Sequence, residues 1–224
     1  MDLPTAQALS QKLQISLDYA VREEYEILLL KELFESVFGS RLVFKGGTAL
    51  RLVYGSARFS EDLDFTLTEE IDIGKFTLFL KEIKERYPTI VSIEPIDKFY
   101  TIFVLVRVRE DYLSHTFSIK VEISKREGEW RKDKDYSVKV IRSEVSPLTV
   151  LAQVASLEKI LQEKEDALKN RKAPRDVFDY WYINQLLKKE VKADFSRFNK
   201  EQAKAELHRL LARPYWRVVD SWLE

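Results

Sequence analysis

The chain has 224 residues, no net charge and no cysteine, and 45% of it is hydrophobic, enough for one sizeable core or two lobes sharing an interface. Without thiols there can be no disulfide, zinc–thiolate site or cysteine nucleophile, and with two histidines any catalytic metal must be held by carboxylates. No apolar run approaches the roughly 20 residues that cross a bilayer, and the N-terminal MDLPTAQALSQKLQ lacks the basic start and apolar core of a signal peptide. A cytoplasmic protein with no membrane partner is expected. Charge is unevenly placed: residues 1–122 carry 15 Lys+Arg against 20 Asp+Glu, and residues 123–224 carry 22 against 17. The basic surplus of the second half suits a polyanion only weakly.

In chain order, residues 5–18 and 21–38 read as helices, the second with Tyr25, Leu28, Leu29, Leu33 and Val37 on one apolar stripe. RLVFK (41–45) reads as a short buried strand, followed by Gly46-Gly47-Thr48 and a short helix. Residues 60–67 alternate Leu63, Phe65 and Leu67 with Asp62, Asp64 and Thr66, the period of a strand. A helix over 74–87 stops at Pro88, and four strands follow between residues 90 and 142, with a polar turn over 127–135. Ser146-Pro147 reads as an N-cap with proline at the first helical position. Helices are then expected over 148–170, 174–188 and 196–211. The order gives an α/β (α+β) fold: a mixed-sheet lobe with N-terminal helices over 1–145, then a helical lobe over 146–224.

On a strand, Asp62 and Asp64 project to the same side. Paired carboxylates repel unless solvent or a cation separates them, and Mg²⁺ takes one or two carboxylates together with substrate phosphates. The bland reading is two solvated aspartates on an edge strand. The preceding strand–Gly46-Gly47-Thr48–helix order favours the other reading, because backbone N–H groups there can face a phosphate, although neither a Walker A loop nor GxGxxG is present. Glu122 shares a strand face with Ser118, Lys120 and Ser124 and either joins the aspartates or pairs with a cation. Lys164 and Arg171 lie on the apolar stripe of their helix, where a lysine either snorkels outward or neutralises a triphosphate in a cleft. Asp176 falls in a first helical turn, which the helix dipole also favours.

The run EYEILLLKELF, LVFKGGTALRLVYG, RFSEDLDF and EKEDALKNRKAPRDVFDYW, over residues 20–185, resembles the AbiEii/AbiGii nucleotidyltransferase-like toxin family of bacteria and archaea. Four motifs in the same order carry the likeness. The resemblance implies a polymerase-β-like nucleotidyltransferase fold with a C-terminal helical bundle. It also implies a nucleotide-phosphate loop of Lys45, Gly46, Gly47 and Thr48, and metal ligands Asp62 and Asp64 with Glu122 as the third. Arg58 and Ser60 would contact phosphate, Lys164 and Arg171 would bind the nucleotide, and Asp176 would be the catalytic acid of the R-D-x-x-D ending. Asp179 is expected to be structural, and Lys159 is a weaker rival to Lys164.

The activity so implied is transfer of a nucleotide from an NTP, with Mg²⁺ or Mn²⁺, to RNA, most often the 3′ end of tRNA, within a toxin–antitoxin system. Its partners would be NTP, tRNA or another RNA, and a cognate antitoxin, with no DNA expected. Asp64, Glu122 and Asp176 all remain open as the proton acceptor. Two other readings stand beside this one: the same fold acting on a protein or small-molecule acceptor, and a nucleotide-binding regulatory module without turnover. A glycosidase is disfavoured, because Asp62 and Asp64 sit side by side on one strand rather than flanking a sugar bond.

Overall fold

The alternation that marks residues 62–67 as a strand also places that strand near the middle of a seven-stranded mixed sheet. The computed structural model describes residues 1–126 and 128–224. Its elements are α1 (Leu3–Leu13), α2 (Leu17–Glu35), β1 (Leu42–Lys45), α3 (Gly46–Leu52), β2 (Asp62–Leu67), α4 (Ile73–Arg86), β3 (Ile90–Asp97) and β4 (Thr101–Val108). They continue with β5 (Phe117–Ser124), β6 (Tyr136–Ser143), β7 (Ser146–Ala155), α5 (Leu157–Asn170), α6 (Pro174–Leu186), α7 (Lys200–Leu210) and α8 (Trp216–Leu223).

The sheet order is β3-β4-β5-β2-β1-β7-β6. Two parallel pairs, β2 with β5 and β1 with β7, sit among antiparallel neighbours, so the sheet is mixed as expected. Register sorts the two faces. Phe44 pairs with Phe65, Leu63 with Val121, and Phe65 with Ile123, and all of these are buried. This apolar face is covered by α2, whose Ile27, Leu29, Leu30 and Leu33 join the same core. The opposite face carries the polar partners of the same strands, Lys45 opposite Asp64 and Asp64 opposite Glu122. A second cluster holds the C-terminal helices together through Phe178, Phe195, Leu207, Leu211, Val219 and Leu223.

The structure corrects the expected helix over 148–170. Residues 146–155 form β7, and the helix begins only at Leu157, with Ser156 as the N-cap accepting from the Lys159 N–H. Val150, Ala152 and Val154 are buried while Leu151 is exposed, a period of two that outweighs the Ser-Pro cap signal. The segment also has partners on both sides, β1 and β6. The division expected at residue 146 therefore falls on the first residue of a strand that the sheet retains. Smaller differences occur near the ends. Gln14 in the left-handed region ends α1 early, and the expected tail forms α8. In the expected turn over 127–135, Glu127 lies outside the described residues, and the Asp135 N–H closes onto the Arg131 carbonyl. Among the described residues no helix is long and apolar enough to cross a membrane.

Candidate active site

A cleft of about 490 Å³ lies on the polar face of the sheet. Its floor is built from Lys45, Gly46, Gly47, Asp62, Asp64 and Glu122, and its far wall from the α5 side chains Glu163, Lys164, Asp166 and Asn170, with Arg171 just beyond the helix end. The floor is set by register alone: Lys45, Asp64 and Glu122 occupy directly opposed positions on β1, β2 and β5. The wall follows from helical spacing, since residues three and four apart share a face.

The glycine pair has a local reason. Gly46 has φ +77°, and a Cβ on it would lie 2.1 Å from Oδ2 of Asp64; a Cβ on Gly47 would lie 2.3 Å from Nη2 of Arg58. Both side chains that fill this space belong to the motif expected at the site. The close approach that the glycines permit is thus made first by the protein's own Asp64 and Arg58, with both glycines still lining the cleft. Thr48 does not line it. Its hydroxyl is buried and donates to the Asp62 carbonyl at 2.5 Å, so the expected phosphate contact is replaced by a tie that fixes the start of β2.

Arg58 is likewise committed. Its Nε and Nη2 donate to the two carboxylate oxygens of Asp179, each at 2.7 Å, and Nη1 donates to the Phe59 carbonyl at 2.8 Å. Asp179 also pairs with Lys164 at 2.7 Å, and Lys164 with Asp176 at 3.0 Å. Arg171 closes the chain with two bonds to Asp176, at 2.7 and 2.9 Å. The result is a ladder, Arg58–Asp179–Lys164–Asp176–Arg171, with three cations on two carboxylates, buried except at its exposed Arg171 end. Burial raises the Asp179 carboxyl, but Arg58 and Lys164 overcome it and hold the group at about 2. Burial likewise acts on Asp176, and the hydrogen bonds from Arg171 and Lys164 keep it below the usual carboxylate range.

This arrangement revises two expected roles. Asp176 is fully buried and its oxygens are occupied by Arg171 and Lys164, so it orients cations instead of meeting substrate. Arg58 reaches the cleft edge with its guanidinium already bound. Lys164, Arg171 and Ser60 do line the cleft. Lys159 does not; its ammonium lies 5.0 Å from the Trp130 ring and 3.9 Å from Asp135.

On the floor, burial pushes the Asp64 carboxyl up to about 6, against the pull of Lys164 and Lys45 and with Asp62 and Glu122 adding to the rise. Asp62 has Lys120 at 3.9 Å. A carboxylate that stays hard to ionise beside two lysines lies where a further positive charge is favourable. With hard oxygen donors on one strand face, Asp62 and Asp64 fit a divalent cation that completes its shell with water and phosphate oxygens. Glu122 stands opposite Asp64 on the neighbouring strand. Among the described residues no group of three or more His, Asp or Glu side chains is disposed to hold a metal ion, and Glu122 is exposed at the cleft. Opposed carboxylates on adjacent strands repel unless a cation intervenes.

Several lining residues were not anticipated: Glu163, Asp166, Asn170, Arg175, Thr101, Ser124 and Arg126. The α5 members follow from Lys164 by helical spacing. Glu163 forms an ion pair with Lys45, joining wall to floor.

A mixed sheet bearing Asp-x-Asp opposite a strand carboxylate, beneath a cation-bearing helix, is the arrangement that the resemblance to a nucleotidyltransferase implies. The sequence model of one family, the nucleotidyl transferase AbiEii toxin of type IV toxin–antitoxin systems, matches residues 28–215. The chain belongs to that family. Among solved structures it is similar to JHP933 from Helicobacter pylori, with 25% identity and a TM-score of 0.59 over 86% of this chain and 74% of that one. A candidate nucleotidyltransferase from H. pylori aligns at 22% identity and TM-score 0.56, covering 90% of each chain. MenT4, a nucleotidyltransferase toxin from Mycobacterium tuberculosis H37Rv, aligns at 19% identity and TM-score 0.54, covering 89% of this chain and 66% of that one. Comparison with curated protein sequences finds no match. The protein is a nucleotidyltransferase enzyme of a toxin–antitoxin family, whose substrates are NTPs.

Proposed function

We propose that the enzyme transfers a nucleotide from an NTP to the 3′ end of an RNA, with tRNA as the acceptor, and that a cognate antitoxin restrains it. The observation that carries this reading is the register of Asp64 against Glu122 on the floor, beneath Lys164 of α5 and Arg171 at its end. Asp62 and Asp64 would hold a Mg²⁺ or Mn²⁺ ion, which when bound neutralises triphosphate charge and acidifies the attacking hydroxyl.

The remaining steps fall to this chain's own residues. Lys164 and Arg171, held by Asp176 and Asp179, face the triphosphate with their charges already oriented, so little reorganisation is needed as charge shifts to the leaving group. Gly46, Gly47 and Ser60 line the same side. The RNA 3′-oxygen attacks the α-phosphorus, its bond to the bridging oxygen of the β-phosphate breaks, and pyrophosphate leaves. Glu122 takes the hydroxyl proton, since Asp176 is enclosed and Asp64 is assigned to the cation. Positioning and charge neutralisation supply most of the rate in such transfers.

The test is to incubate the protein with Mg²⁺, each α-labelled NTP in turn and total tRNA, beside Asp62→Ala. Label on tRNA with the wild type alone is the expected result and names the nucleotide. Label on protein instead would overturn the RNA acceptor, and no label in any fraction would overturn the transfer itself.

A further inference from the structure

The catalytic floor continues past Glu122. Strand register carries one row of side chains across five strands on a single face: Lys45, Asp64, Glu122, Phe103 and Ile96, on β1, β2, β5, β4 and β3. A second row on that face runs Asp62, Lys120, Leu105 and Glu94. Burial sorts the same way. The alternate residues Ile102, Val104, Val106, Ile119, Val121 and Ile123 are enclosed in the core on the other face. Phe103 and Leu105 are half-buried, while Lys120, Arg107, Glu94 and Ile96 are exposed.

Antiparallel strands commonly leave one face to water, and that face is then polar. Here Phe103, Leu105 and Ile96 lie in the middle of it. Cations surround them. The Lys98 ammonium is 5.1 Å from the centroid of the Phe103 ring. Arg107 lies on the same face, opposite Ser118, and Lys120 is tied only loosely, with Asp62 at 3.9 Å. Glu94 is the one acid in the outer part of these rows. A ring and aliphatic side chains rimmed by three cations match a single-stranded polyanion that carries flat bases. The other end of the first row is covered, since Lys45 pairs with Glu163 of α5. With the triphosphate beneath Lys164 and Arg171, the β4–β3 half of the floor is left for the attacking group.

We propose that the open face of β5, β4 and β3 binds the single-stranded 3′ end of the acceptor RNA, with Phe103 stacking the terminal base and Lys98, Arg107 and Lys120 holding the phosphates behind it. This rests on RNA being the acceptor. Directly opposed residues on adjacent strands lie about 5 Å apart, so a base on Phe103 sets its own 3′-hydroxyl beside Glu122, the group assigned to its proton. Aromatic rings stack any base, and the face therefore selects a free 3′ end rather than a sequence. Register with Glu122 favours the reacting strand over a protein partner, because whatever covers Phe103 lies next to the reacting atoms.

The experiment measures binding of a fluorescent RNA duplex with a short single-stranded 3′ overhang, beside the same duplex with blunt ends, to the full chain. The wild type should prefer the overhang. Phe103→Ala should weaken overhang binding about tenfold or more, and Phe103→Trp should retain it. Arg107→Ala and Lys120→Ala should each lower the slope of log affinity against log salt by about 0.7, one phosphate contact on a single strand. Wild-type overhang affinity in Phe103→Ala overturns the surface, as does a wild type with no preference for the overhang. Should Phe103→Ala fail to fold, the two cation variants decide, and unchanged salt slopes overturn it. Variants that keep RNA but lose a protein antitoxin assign the face to a protein and overturn it too. Overhang binding that depends on Phe103, in a wild type that labels no RNA, would refute RNA as the acceptor while leaving an RNA-binding face. Labelled RNA with binding independent of Phe103 would refute the surface alone.

Discussion

The Lys164 ammonium lies 2.7 Å from a carboxylate oxygen of Asp179, a fully buried residue that is not among those lining the cleft. Through that one contact and the paired bonds to Arg58, Asp179 sets the position of two cations at the cleft.

Replacing Asp179 with Asn leaves Arg58 buried without its counter-charge and Lys164 with Asp176 alone. Breaking one partner of a buried ion pair costs about 3–5 kcal/mol, so urea unfolding of Asp179→Asn should show a loss of that order. Transfer activity should fall at least as far as in Lys164→Ala. Activity near wild type would show that Asp179 does not position the cations.

Acid stability follows from the same residue. Its carboxyl is held at about 2 in the folded protein and titrates near 3.9 when unfolded. A depressed folded value stabilises the fold above the unfolded value, and this stability is lost as pH falls through the window from about 4 to 2. The contribution is of order 2 kcal/mol. Thermal unfolding between pH 5 and pH 2.5 should show a steeper acid decline in the wild type than in Asp179→Asn.

Gly46→Ala should be damaging in two ways. The left-handed backbone disfavours any side chain, and the new Cβ would press on Asp64. A stability loss of about 1–3 kcal/mol should accompany a fall in transfer larger than that loss explains, because the displaced group is a floor carboxylate. Wild-type kinetics in Gly46→Ala would rule out the close approach.

Divalent cation binding can be read without turnover. Mg²⁺ should raise the unfolding temperature of the wild type, as any ligand selective for the folded state does, and the shift should vanish in Asp62→Asn and Asp64→Asn. Without the cation, Asp64→Asn should be at least as stable as the wild type, since burial disfavours the charge it removes. A Mg²⁺ shift that survives both substitutions would place the cation elsewhere.

The Lys45–Glu163 ion pair occupies a cation on the cleft floor. Glu163→Gln should leave Lys45 available to phosphate and tighten NTP binding several-fold at low salt, an effect that added salt screens. Equilibrium titration with an NTP in both proteins checks this, and unchanged affinity would separate Lys45 from the phosphates.

Much of this site was legible in the sequence where a period or a motif carried it. The alternation around Asp62 and Asp64 placed both on one face of β2, and Glu122 fell opposite Asp64 through the same period on β5. Lys164 was found as a charge on an apolar helical stripe, whereas Arg171, expected on the same stripe, is the extended residue just past the end of α5. Strand β7 was misread because a Ser-Pro pair mimics a helix start, and a short apolar run fits either element until its neighbours are known. The occupation of Arg58 by Asp179 depends on pairing across 121 residues, which local spacing does not encode.

Strand β7 passes into α5 through Ser156 alone, and this junction is pinned from two directions. Tyr54 donates to the Ala155 carbonyl at 2.6 Å, and the Ser156 N–H donates to the Asp135 carbonyl at 2.8 Å. The jaw formed by α5 is thus riveted to its anvil, with no slack at the joint for a wide clamshell swing. Wall and floor thus keep one spacing from the junction outward, and the gape between them is already formed.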